Sequence, residues 1–364
     1  MDKNTININK LPSKTWYWLH MNDTKVSWNP DIAPCKVTVE ETFEDKETNS
    51  LISSAAITEF EAVESGAGRE ADPIFADAKT EKTVLTASDK GAKATIRLAV
   101  DGTTAESAAG ACYLTAEEGT DTTVIETFTK KSEQAGSLAY RTMIQAKKDS
   151  HVRLVQVFMQ DEGQTLLNDI GCVCDENAKF DILQIFIGEG DLYNGIRTDL
   201  KGAGADTQVE IGYLGQKKQK IDVNLIVNHF GKKTKCEIQV DGTLKDAAEK
   251  VFRGTIDFKN GASGSTGAET ENVLLLGDDV INKTIPIILC AEEDVEGSHG
   301  ATIGELDEET LFYFESRGID KETAEDIMTR GKFEMLYRHI GDEQTQKLVE
   351  VQLAEVMADD REEL

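Results

Sequence analysis

No stretch of this chain approaches the roughly 18 consecutive apolar residues that a membrane-spanning helix needs. The polar start MDKNTININK also lacks the basic-then-apolar layout of a signal peptide, so the expected location is cytoplasmic. Positive charge is scarce: 39 lysines and arginines face 67 aspartates and glutamates, a formal net charge of −28. That charge repels nucleic-acid phosphates and anionic membrane surfaces, and argues against both as partners. There is no G-x-x-x-x-G-K-[ST] loop, and the glycine cluster NGASGSTGAE at 260–269 lacks the lysine and following helix of a phosphate cradle. Any ATP hydrolysis therefore belongs to a partner. The six cysteines are scattered through 364 residues without an export signal and read as reduced thiols, not as a disulfide framework.

What the chain has in quantity is short β-type runs. All three tryptophans lie in Leu11 to Trp28, which reads as an aromatic packing segment of residues 1–36. From Val37 onward the runs include Ala94 to Val100, Val152 to Met159, Phe180 to Ile187, Val209 to Leu214, Lys220 to Phe230, Cys236 to Val240, Val251 to Phe258, Val273 to Leu276 and Ile285 to Leu289. Glycine, asparagine and aspartate punctuate them. KIDVNLIVNHF and CEIQVDG alternate apolar with polar residues, whereas IFIG and VLLL are continuously apolar, as in stacked coils of strand. From pattern alone, a large β-sandwich and a β-helix over residues 37–304 both remain open. A stacked solenoid would need capping at its ends, which the N-terminal aromatic segment and a helical C-terminal segment could supply.

The period changes after Gly304. Asp307 is a candidate N-cap with Glu308 and Glu309 in the first turn, and Arg317 then Gly318 form a stop signal. A second helix is expected from near Asp320 toward Arg330 and Gly331, and a third over Glu343 to Ala358 with Leu348, Val349, Val351, Leu353 and Val356 in a stripe. Residues 305–364 thus read as a helical domain.

Ser298 to Ile319, SHGATIGELDEETLFYFESRGI, closely resembles the C-terminal signature of the SufB/SufD family: a histidine-containing strand end, HGAT, an acidic turn, and a helix with FY that closes on RG. VFRGTIDF at Val251 to Phe258, NVLLL at Asn272 to Leu276 and the N-terminal WYWLHMN are similar to further family segments. Gly300 after His299 resembles the SufD-like form, since SufB-like members usually carry HEAT. The resemblance implies a mainly β fold, a right-handed parallel β-helix core followed by a C-terminal helical domain. It also implies a non-catalytic scaffold that handles a transient iron-sulfur cluster. Its partners would be a SufC-like ABC ATPase and either a SufB-like scaffold or a second copy of the chain.

On this reading His299 is the candidate cluster or metal ligand, because its motif position resembles the histidine at the scaffold interface. Without the motif it would read as a turn residue at a strand end. Gly297 stands where many SufD-like proteins have a cysteine. Cys290 would join His299 only if the intervening loop folds back, and otherwise closes a rung as a small hydrophobe. Leu311, Phe312, Tyr313, Phe314 and Arg317 are the expected ATPase-docking residues. Cys172 and Cys174 form a C-x-C pair whose thiols share a strand face, more simply core than metal site. His229 reads as a turn or core hydrogen-bonding residue, and His20, His151 and His339 as surface residues.

Overall fold

The computed structural model describes residues 5–14, 17–43, 50–53, 57–91, 93–102, 105–130 and 134–359. Strands β1 (Thr5–Ile8) and β2 (Thr24–Ser27) form an antiparallel hairpin. The main body begins with β3 (Ala33–Pro34), β4 (Lys36–Phe43), helix α1 (Asp72–Ala76), β5 (Glu81–Ala87) and β6 (Lys93–Asp101). It continues with β7 (Ser107–Ala116), β8 (Asp121–Lys130), β9 (Gly136–Ala146), β10 (His151–Gln160), β11 (Gln164–Cys174), β12 (Lys179–Phe186) and β13 (Asp191–Leu200). Then come β14 (Asp206–Gly215), β15 (Lys220–His229), β16 (Lys235–Lys245), β17 (Glu249–Phe258), β18 (Ser265–Leu276), β19 (Ile281–Cys290) and β20 (Val295–Gly304). Helices α2 (Glu308–Ser316), α3 (Lys321–Tyr337) and α4 (Glu343–Asp359) follow, with a 3-10 turn at Arg338–Ile340 between the last two.

Even-numbered strands β4 to β20 lie in chain order in one nine-stranded sheet, and the odd-numbered strands β3 to β19 in the other. Within these sheets every pairing is parallel except β4 with β6. The chain therefore winds through about seven turns of a β-solenoid, as expected. Strands in the middle of the coil, such as β7, β11 and β15, are buried on both faces, a setting that suits continuously apolar runs. One corner of each coil is turned by a residue in the left-handed region: Gly91, Gly119, Asp149, Asn177, Gly204, Lys233 and Gly264. These are mainly the residue types that tolerate positive φ. Through the corner the backbone ladder continues, as in Asp149 N–H to the Glu176 carbonyl at 2.9 Å and Asn177 N–H to the Ala203 carbonyl at 3.0 Å.

Parallel register stacks like on like inside the coil. Phe128, Phe158 and Phe186 occupy one inward column with ring centroids 5.0 and 4.9 Å apart. Each such ring removed from water contributes about 1.5–3 kcal/mol. Beside them runs a sealed polar ladder. Gln156 donates to Glu126 at 2.6 Å, Asn168 donates to Gln156 at 2.9 Å, Gln184 donates to Gln156 at 2.7 Å, and Asn194 donates to Gln184 at 2.8 Å. Mutual pairing lets these buried amides persist.

The two expected end caps lie elsewhere. The β1–β2 hairpin covers the outer face of the odd-numbered sheet: Arg253 reaches out from β17 to donate to the Met21 carbonyl and to Asp222, each at 2.7 Å, and Asn9 donates to Asp222 at 2.7 Å. Trp28 is buried in this packing, Trp18 is 89% exposed, and Trp16 lies outside the described residues. Helices α3 and α4 cover the outer face of the even-numbered sheet, where Phe333, Leu336, Val349, Leu353 and Val356 meet Val155, Val157, Leu183 and Ile185. Of the expected α4 stripe, Leu348 and Val351 instead face solvent. Helix α3 also continues through Gly331, because the apolar positions Phe333 and Leu336 beyond it gain a sheet to pack on, outweighing the roughly 1 kcal/mol cost of a helical glycine.

Candidate functional site

Because both appendages lie on the sides, the last rung, β19 and β20, is left open. Eight of the ten residues of β20 are exposed and the other two half-buried, against wholly buried strands such as β7. One edge of β20 pairs with β18, and among the described residues the other has no strand beside it.

Register carries one inward column through Leu154, Ile182, Val209, Ile238, Glu269 and His299. The apolar column thus ends on a carboxylate and then, on the exposed rung, on the His299 imidazole. Glu269 is 4% exposed. Its carboxyl occupies the space left by Gly254 on the facing strand, where an added Cβ would lie 1.9 Å from the Glu269 Oε2 atom. Burial, reinforced by the neighbouring Glu271 charge and opposed by Lys250, pushes the Glu269 carboxyl up to about 7. Beside it, buried Lys250 forms an ion pair with buried Glu271 and donates to the Thr284 hydroxyl at 2.9 Å.

Cys290 ends β19 in an exposed position, its thiol donating to the Glu292 carbonyl at 3.0 Å. The loop after it leads to Val295, and His299 lies four residues further along β20, about 13 Å of strand. The two share the open rung but are not brought together. The other five cysteines are buried. Cys172 and Cys174 place their sulfurs 3.8 Å apart inside the coil, and burial pushes the Cys172 thiol well up. Among the described residues no three His, Cys, Asp or Glu side chains converge as a metal site. His229 is sealed in the core, bonded to the Thr234 hydroxyl at 2.7 Å and stacked on Phe258, and burial lowers it to about 4. His151 bonds Asp181 at 2.8 Å on the outer face, His339 bonds Glu210 at 2.7 Å, and His20 is exposed.

The Asp307 carboxylate caps α2 by accepting from the Thr310 N–H at 2.8 Å. The helix buries no residue fully: Phe312 and Tyr313 are 71% and 58% exposed, Leu311 and Phe314 are half-buried, and the exposed Arg317 guanidinium sits 5.4 Å from the Tyr313 ring centre. Two large rings are thus displayed to solvent on a short helix.

The molecule is thus a parallel β-solenoid with laterally packed helices, an open last rung and an imidazole standing on it. The chain belongs to the family described as SUF system FeS cluster assembly, SufBD core domain, whose model matches residues 98–332. It is similar to the iron-sulfur cluster assembly protein SufD of Bacillus subtilis (strain 168), 30% identical over 167 residues, which cover 46% of this chain and 38% of that protein. SufD of Escherichia coli (strain K12) is 26% identical over 218 residues, 59% of this chain and 51% of that one. SufB of Bacillus subtilis is 27% identical over 162 residues, 44% and 35% of the two chains. The chain is SufD-like, and the matched stretches span about half or less of these relatives. No helix among the described residues is long and apolar enough to cross a membrane.

Proposed function

We propose that this chain is a non-catalytic scaffold subunit of a SUF-type assembly. It pairs with another scaffold chain through its open last rung, engages a SufC-like ABC ATPase with its C-terminal helices, and contributes His299 to a nascent iron-sulfur cluster at the scaffold interface. Cys290, the one exposed thiol, lies on the same rung as a secondary candidate. The observation that carries the reading is the last rung itself: an unpaired strand edge beside an exposed imidazole. Such an edge is a template for strand pairing with a second chain, and a protein that left it open without a partner would risk aggregation. Imidazole nitrogen is an accepted ligand for iron. The solenoid is the rigid body and α2, with Leu311, Phe312, Tyr313, Phe314 and Arg317, the ATPase contact. Nucleotide-driven motion of the ATPase is passed through it to the scaffold interface.

The test is co-purification with a SufC-like ATPase and a SufB-like scaffold from the same organism, followed by anaerobic reconstitution with iron and sulfide. His299→Ala is expected to retain ATPase binding and lose the iron-sulfur chromophore. Phe312→Asp with Tyr313→Asp, both at exposed positions, is expected to lose the ATPase. Normal cluster formation by His299→Ala would remove its ligand role. ATPase binding without any chromophore in the parent complex would leave an interaction protein of the same fold.

A further inference from the structure

The column beneath His299 contains a carboxylate that the solenoid does not use. Glu269 is 4% exposed, and what acts on it among the described residues is burial and the charges of Glu271 and Lys250, with no hydrogen bond to its carboxyl. Lys250, the ammonium that acts on it among the described residues, is engaged by Glu271 and by the Thr284 hydroxyl. Two carboxyls therefore share a single buried ammonium, and Glu269 meets the shortage by holding its proton up to about pH 7. An unpaired carboxyl of this kind keeps its proton until a cation takes the proton's place. Only one direction is open to that cation. Below Glu269 lie Ile238 and the apolar core, across from it is Gly254, and above it are Pro286 and His299 on the last rung, beyond which no further strand stacks among the described residues.

We propose that Glu269 is a second protein ligand for incoming ferrous iron, forming with His299 a nitrogen-oxygen pair in the mouth of the solenoid. Adjacent parallel strands stand about 4.8 Å apart, which brings side chains of one column within reach of a common ion. Imidazole with carboxylate is a donor set that suits Fe(II), whereas sulfur carriers are held by thiols. Five of the six thiols are buried, and Cys290 is turned to the Glu292 carbonyl. The remaining coordination positions go to water or to the paired chain. The inference rests on the proposed function in one respect, that His299 is an iron ligand.

The full-length chain is titrated anaerobically with Fe(II) against a chromogenic chelator, and separately with Co(II) as a spectroscopic probe. One Fe(II) per chain is expected, and a Co(II) spectrum with ligand-field bands but no intense thiolate charge-transfer band. Glu269→Gln, nearly isosteric, should weaken Fe(II) binding at least tenfold, as should His299→Ala. Gly254→Ala, which displaces the Glu269 carboxyl without removing its charge, should weaken it severalfold. A thermal melt of each variant separates these losses from misfolding. Wild-type affinity in Glu269→Gln, or no stoichiometric Fe(II) on the parent chain, would overturn the inference. Loss of iron in His299→Ala with none in Glu269→Gln would sink this inference alone. Normal clusters in the His299→Ala complex would sink the reading beneath it.

Discussion

The rung at β13 and β14 and the rung at β19 and β20 are built from strands of the same length in the same parallel register, yet they end in opposite conditions. In the middle, each strand has a neighbour on both edges, and α3 and the N-terminal hairpin press on the outer faces. At the end, the same geometry has a neighbour on one edge only, and the inward column changes from Val209 and Ile238 to Glu269 and His299. Stability in a solenoid is a sum of neighbour interfaces, so the middle supplies it and the end is free to carry chemistry.

That contrast can be broken most forcefully at the aromatic stack. Phe158→Ala removes the central ring of the column and should cost about 3–5 kcal/mol in denaturant unfolding. Next in size is Gly212→Ala on β14, where an added Cβ would lie 2.1 Å from Leu336 of α3. The forced repacking should cost about 1–3 kcal/mol and loosen the helices, read as faster amide exchange in α3 and α4.

The third prediction concerns pH. The carboxyls of Glu126 in the middle and Glu269 near the end are both pushed up to about 7, mainly by burial, from an ordinary value near 4.5. The folded state then holds their protons more tightly than the unfolded one. Their contribution is most favourable below the ordinary carboxylate range and is lost as pH rises through about 7. Glu269→Gln should flatten that loss and stabilise the chain at pH 8 by roughly 1–2 kcal/mol, while changing little at pH 4. A melt series across pH that showed no convergence at the acid end would contradict it. The smallest effect belongs to Ile303→Ala, in the same inward column as Phe158 but 42% exposed on β20. It should cost below about 1 kcal/mol in the isolated chain. A loss comparable to Phe158→Ala would mean that the last rung is as integral as the middle.

The solenoid was legible where β-branched and aromatic residues fill both faces, as in β10, β12 and β15. Strand β7, SAAGACYLTA, escaped notice because small residues carry no strand preference, although all ten are buried. Strand β13 escaped because Asn194 points inward into the amide ladder while Arg197 and Asp199 pair on the outer face, which reverses the usual pattern. Hydrophobic patterning says that a face is covered, not by what, and so the lateral placement of both termini was beyond it. His299 was visible through its motif. Glu269 was not, since the alternation in AETEN reads as two carboxylates facing solvent. Placing it inside the coil requires the register with Ile238, which only the stacked rungs supply.

The attachment of the first strands carries a kinetic consequence. Asn9 and Met21 are fastened to Asp222 and Arg253, more than two hundred residues downstream. Rungs between them close over short sequence separations, each on its predecessor, whereas this clasp closes a very long loop and must wait for β15 and β17 to exist. During synthesis the opening segment of the chain is therefore among the last parts to dock. Arg253 acts as a completion latch, and a slow final folding phase that disappears in Arg253→Met would be its signature.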